Sequence, residues 1–210
     1  MSSGRAMPVV LLALALGARA AERDLPNDRV QRVRYLLNFT EYVEWPAKVF
    51  ADARAPILIG IIGEDPFGEV LTTQAGEHRG RRRVEVRRFK GIMEFRGQEI
   101  PGRPQDELVA KRRAKVRELR ACHVLYVSRS EDAFLSQVFR AVHKAPVLTV
   151  GDKPSFAREP RGGVIGFFEI GPQLAFEINL DTAEAAELKI SSKLLALAKV
   201  IRKEDIQAKP

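Results

Sequence analysis

GGVIGFFEIGPQLAFEINLDTAEAAELKISSKLLALAKVI, residues 162–201, contains the pattern that decides the fold class. Two runs rich in β-branched and aromatic residues, Val164 to Glu169 and Leu174 to Leu180, flank Gly171-Pro172. Gly-Pro is a strong turn signal, so the segment predicts a β-hairpin. Asp181 or Thr182 can cap the alanine-rich run that follows. Leu188, Leu194, Leu195, Ala198 and Ile201 recur close to helical spacing, so a single helix is expected to close the chain.

Upstream of the hairpin, short apolar runs alternate with amphipathic ones. Ile57 to Ile62 reads as a strand buried on both faces, Val124 to Ser128 as a buried strand and Pro146 to Val150 as another strand. Helices are expected over 28–44, 66–75, 106–120 and 131–143, the first ending at Trp45-Pro46. This alternation predicts an α/β fold, a mostly parallel sheet with helices on both faces, ending in the hairpin and its helix. Arg83 to Phe89 alternates basic and apolar residues, as a strand wet on one side does, and suits an edge. Gly91 to Gln105 has three glycines, two prolines and no period, and reads as a loop or insertion.

Residues 1–20 read as a secretory signal: Arg5, then an apolar run from Met7 to Leu16, then Ala18-Arg19-Ala20 with cleavage expected after Ala20. The apolar run is too short to span a bilayer. Residues 21–210 are then one exported, periplasmic domain. Loss of Arg5 and Arg19 takes the formal charge from +8 to +6, so the mature chain stays basic. Its basic residues gather at Arg79, Arg81, Arg82, Arg83, Arg87 and Arg88, and again from Lys111 to Arg120. Export argues against nucleic acid as their partner; solvation, an acidic partner or anionic lipid headgroups remain. The single cysteine, Cys122, rules out an intrachain disulfide and opens an apolar run, where a buried inert thiol is expected.

VRYLLNFTEYVEWP (33–46), ILIGIIGEDPFGEVL (57–71), CHVLYVSRSE (122–131), VLTVGDKPSFA (147–157) and the hairpin occur in one order. In that order they resemble the YfiR-like family of exported bacterial proteins. The resemblance implies a non-enzymatic regulator, which binds the extracytoplasmic part of a membrane signalling protein, the sensor segment of a cyclase or a kinase; no cofactor or metal is expected. A diguanylate cyclase under repression is the target it suggests. A homodimer is implied in the same way, although no seam is evident. Disulfides ascribed to the best known member have no counterpart here, which puts redox switching inferred from that member in doubt.

In an open parallel sheet, ligands bind beyond the carboxyl ends of the strands. That rule selects Gly63, Glu64 and Asp65 after the first strand, Ser128, Arg129 and Ser130 after the third, and Gly151, Asp152 and Lys153 after the fourth. Arg129 suits an anionic group, and the carboxylates suit hydroxyls or amines of a small-molecule effector. Asp65, Ser130 and Asp152 could equally cap the turns that follow. Gly162-Gly163 is expected to serve an unusual backbone conformation, and could equally leave room for a ligand.

Several catalytic patterns fail. Gly63 to Gly68 has phosphate-loop spacing, but Glu69-Val70 stands where Lys-Ser/Thr would hold the phosphate and magnesium. There is no Gly-x-Ser-x-Gly and no His-Glu-x-x-His, and His78, His123 and His143 fall in separate elements. Trp45 can cap the core or serve a partner. Phe167 and Phe168 must point to opposite faces of their strand, which makes Phe168 a candidate partner contact. The alternative to a regulator is a periplasmic small-molecule-binding module serving a sensor kinase or transporter; a hydrolase or transferase using Asp65, Asp152 and Ser128 is the third class.

Overall fold

The computed structural model describes residues 26–93, 105–159 and 162–207. The expected signal and its cleavage site lie outside these residues, as does most of the expected 91–105 loop.

Helix α1 (Pro26–Tyr42) leads into a short strand β1 (Val43–Glu44). Then come β2 (Ile57–Ile62), α2 (Glu69–Glu77), β3 (Val84–Phe89), α3 (Gln105–Arg120), β4 (Val124–Val127), α4 (Leu135–Val142) and β5 (Leu148–Gly151). The hairpin is β6 (Ile165–Ile170) and β7 (Gln173–Asn179). It is followed by α5 (Leu180–Ala185), β8 (Lys189–Ile190), α6 (Ser192–Leu195), β9 (Lys199–Ile201) and α7 (Lys203–Gln207).

Seven strands form one sheet in the order β3-β2-β4-β5-β6-β7-β9. From β3 to β6 every pairing is parallel, and β7 runs antiparallel to β6. β3 lies at an edge, as its basic alternation indicates. Side chains of β4 show why the central runs are apolar throughout: Val124 and Tyr126 enter the core beneath α1 and α2, while Leu125 and Val127 enter the one beneath α3 and α4. Such two-sided burial is what a parallel sheet covered by helices requires.

α1 packs on the hairpin through aromatic rings. Tyr35 and Phe39 face Phe167 and Phe176 at centroid separations of 5.3–6.0 Å. Phe39 is fully buried, worth about 2–3 kcal/mol in removed apolar surface. The two-residue turn uses Gly171 at φ +58°, a value glycine adopts without strain, and Pro172 holds the next φ.

The chain after Asp181 departs from the single helix its spacing suggests. Asn179 is the helix cap, its side-chain oxygen accepting from the Thr182 amide. α5 ends as Glu187 takes a left-handed φ of +57° and the Leu188 amide returns to the Ala183 carbonyl. Lys189–Ile190 then pairs with β1, and Lys199–Ile201 adds a parallel strand beside β7. Apolar residues at near-helical spacing thus fill the core from two short strands and one turn of helix. Strand pairing outweighs the roughly 1 kcal/mol cost of a non-glycine left-handed residue.

Smaller departures have local causes. α1 stops at Tyr42 because Val43 and Glu44 pair with β8. The helix expected from Pro66 begins at Glu69, after a turn closed by Asp65, whose Oδ1 accepts from the Phe67 amide at 2.7 Å. Residues 129–134 form a 3-10 segment before α4. Gly163 serves close approach instead of an unusual φ, because a Cβ there would overlap the Phe156 ring. Cys122 is buried, and burial pushes its thiol up to about 12.

Candidate functional site

The order β3-β2-β4-β5 means that the chain turns to one side of β2 and then to the other. This makes the β2/β4 boundary the topological switch point, where α/β folds leave a crevice. A cleft of about 220 Å³ opens there, equivalent to about seven waters of liquid volume. Pro66 and Phe67 follow β2, Ser128 and Arg129 follow β4, and Asp152 follows β5. The first turns of α1 close it with Asp28, Arg29 and Arg32, and the end of β6 supplies Glu169.

Asp152 is the hub. Its carboxylate accepts a hydrogen bond from Tyr126, lies 3.9 Å from Arg32 Nε and 3.8 Å from Arg129 Nε. A guanidinium nitrogen of Arg32 is 3.6 Å from Glu169 Oε1. These separations are ion pairs longer than the 2.7–2.9 Å of a charge-assisted hydrogen bond, and Arg129 also donates to Asp152 O at 3.4 Å. Burial, reinforced by the Asp152 charge and hydrogen bond, pushes the Tyr126 hydroxyl well above its usual value and keeps it a donor. Ser128 is buried to 6% exposure, yet lines the cleft. The arrangement can bind a polar molecule through guanidinium, carboxylate and hydroxyl groups at once.

Of the residues selected by the strand-end rule, Ser128, Arg129 and Asp152 come together. The others form the rim's framework. Gly63 donates its amide to Phe89 O, and Ser130 Oγ accepts from the Glu64 amide at 2.9 Å. Asp65 Oδ2 pairs with Arg88 Nε at 2.7 Å in addition to closing its own turn. Gly151 packs against Phe156, and Lys153 pairs with Glu159 at 2.8 Å.

Sequence reasoning missed Arg32, Tyr126 and Glu169. A signal for Arg32 was present: the buried α1 stripe of Val33, Leu36 and Thr40 continues backwards onto Arg32 and Arg29, charged residues on a core-facing stripe.

Phe168 is half-buried on the hairpin, and Ile170 beyond it is 62% exposed. Trp45 sits at the opposite end of the sheet, half-buried, donating from Nε1 to His123 O at 3.1 Å. It borders a broad depression of about 540 Å³ with Pro46, Glu184 and Leu188. Among the described residues, no group of histidine, cysteine and carboxylate side chains is placed to hold a metal ion, and no helix is long and apolar enough to cross a membrane.

Residues 30–199 match the family described as YfiR/HmsC-like, well over half of the chain. The chain belongs to the YfiR/HmsC-like family. None of the curated proteins compared with it matches in sequence. Members of this family are regulators rather than enzymes.

Proposed function

We propose that this protein is a non-enzymatic periplasmic regulator that binds the extracytoplasmic sensor segment of a membrane signalling protein, a diguanylate cyclase held in its inactive state being the leading target. Residues 1–20 are its export signal and 21–210 its working domain. A small effector enters the cleft at the strand ends and modulates the pairing. Ser128, Arg129 and Asp152 touch the effector, with Arg32 and Tyr126; Phe168 and Ile170 touch the partner.

The observation that carries this reading is the link from cleft to hairpin. Arg32 stands between Asp152 and Glu169, and Glu169 lies in β6 between Phe168 and the exposed Ile170. An effector that draws Arg32 towards itself releases Glu169 and alters the hairpin end that the partner meets. Such a regulator needs only a preference for one state of its target. About 1.4 kcal/mol of preference shifts the state ratio tenfold.

The test is affinity capture from detergent-solubilised membranes of the host, with wild-type protein and Ile170→Asp as baits. Wild type is expected to recover a membrane signalling protein that Ile170→Asp loses, and deletion of the gene is expected to raise cyclic dinucleotide output. Recovery of no membrane protein, or turnover of a substrate by purified protein, overturns the reading. The cleft also supports a second one, a ligand-binding module serving a sensor kinase or transporter. Capture of such a protein only when an effector is added, with no change in cyclic dinucleotide, selects it.

A further inference from the structure

The two basic runs meet different fates. In the first, three of the six arginines are tied to the fold by their side chains: Arg79 donates to Gly76 O, and Arg82 donates to Ala55 O while stacking on Phe50. Arg88 binds Asp65, Gly68 O and Thr72. In the second run, residues 111–120 on α3, six basic residues face one acidic residue, Glu118, and that glutamate is 4.0 Å from Lys115. Among the described residues, Arg112 and Arg140 have no carboxylate partner.

A groove of about 230 Å³ runs between α3 and α4 on the face opposite α1. Arg112, Arg120 and Arg140 rim it, and Ile92, Met93 and Val116 form its floor. Arg120 is fixed across the groove by donating from Nε to Ala141 O at 2.7 Å. Val109, Arg112, Val116 and Arg120 share one face of α3, spaced three, four and four residues apart. Val109 and Met93 remain 43% and 42% exposed. Arginines interleaved with exposed apolar side chains along one helix face form a basic amphipathic stripe, the pattern of a helix that lies on a membrane surface.

We propose that the α3–α4 groove docks the protein on an anionic phospholipid surface, its arginines on the headgroup phosphates and Met93, Val109 and Val116 against the glyceryl and upper acyl region. A free phosphate would satisfy the arginines and leave those apolar side chains in water. The basic residues of α3 run from Lys111 to Arg120, so these charges are strung along about 14 Å, a length that matches a plane of headgroups better than one small anion. Docking would confine the protein to the surface from which its target projects. The proposal takes only the compartment from the function proposed above, and vesicle binding succeeds or fails without any protein partner.

The experiment is co-sedimentation of the purified protein with vesicles of phosphatidylglycerol and phosphatidylcholine at a 3:7 ratio, and with vesicles of phosphatidylcholine alone. Binding is expected to the anionic vesicles only and to weaken as salt rises. Each arginine near the surface contributes about a fivefold effect, so Arg112→Ala with Arg140→Ala should weaken partitioning by about 25-fold. Arg54→Ala with Lys193→Ala removes the same charge from exposed positions elsewhere and should leave more than half of the binding intact. An equal loss in that control means that net charge and not the groove is responsible, and overturns the proposal. So does absence of vesicle binding, whether or not the groove variants alter thermal stabilisation by inorganic phosphate, since a response to phosphate alone assigns the groove to a soluble anion. Circular dichroism of each variant shows whether it remains folded; if the arginine pair fails, Met93→Asp tests the apolar floor.

Discussion

The two ends of the parallel strands are built from similar materials to opposite effect. At the amino end, Arg82, Phe50, His123 and Trp45 form a continuous stack. Arg82 lies 3.9 Å above the Phe50 ring, Phe50 lies parallel to His123 at 4.6 Å, and Trp45 meets His123 edge-on at 5.9 Å. Hydrogen bonds fasten it further, the Leu58 amide donating to His123 Nδ1 at 3.0 Å. At the carboxyl end, Arg32, Arg129, Asp152 and Glu169 approach one another at 3.6–3.9 Å around an open cleft. One end consolidates the fold with stacked rings; the other gathers charged groups around a cleft that is open to solvent. A binding site that must accept and release a ligand belongs at the second kind of end.

The contrast breaks if the amino end tolerates truncation. Trp45→Ala removes a ring from the stack and the Nε1 bond to His123 O. It is expected to cost about 3 kcal/mol, measured as a lower urea midpoint at unchanged slope. A loss below about 1 kcal/mol would make Trp45 a surface residue and favour a partner role for it.

Acid should attack the same end next. Burial, with the nearby Arg82 charge, lowers His123 from 6.5 to about 4. Between those values the unfolded chain binds a proton that the folded chain refuses, so stability falls as pH drops through that window and levels off below about 4. The contribution is on the order of 2 kcal/mol after allowance for solvent screening. Urea midpoints at pH 7 and pH 4.5 check it, because His123→Gln should flatten this part of the pH dependence. An unchanged pH slope in that variant would show the ring to be free to ionise.

The two ends also differed in how far sequence could reach them. β2, β4, β5 and the hairpin were legible because each is an apolar run cut off by glycine, proline or charge. The strand-end rule then brought Ser128, Arg129 and Asp152 to one rim. Arg32 and Glu169 were not legible, since each owes its role to a neighbour distant in sequence: Arg32 is 120 residues from Asp152 and meets it only once α1 crosses the sheet. The stack was equally hidden, because Phe50 and His123 are joined by tertiary packing alone. The segment from Leu188 to Ile201 misled for a related reason. Its apolar spacing fits a helix, but β1 and β7 offer free strand edges, and pairing with them decides the outcome.

The smallest expected change in stability falls at the open end and sharpens the comparison. Asp152→Asn keeps the shape of the hub but removes the charge that Arg32 and Arg129 share. Asn can still accept from Tyr126, so the change gives up only the ion pairs at 3.8–3.9 Å, which should cost about 1 kcal/mol; a carboxylate whose charge braced the fold would cost several kcal/mol to neutralise. Differential scanning fluorimetry of wild type and Asp152→Asn against a panel of small carboxylates, amines and phosphates provides the functional half of the measurement. Any compound that stabilises wild type through the cleft should lose most of its effect in the variant, while the melting temperature without ligand moves by only a few degrees. A large drop in melting temperature with the ligand response preserved would reverse the assignment. Asp152 would then be a structural brace like the stack at the other end, and the binding groups would have to be sought among Ser128, Arg29 and Asp28.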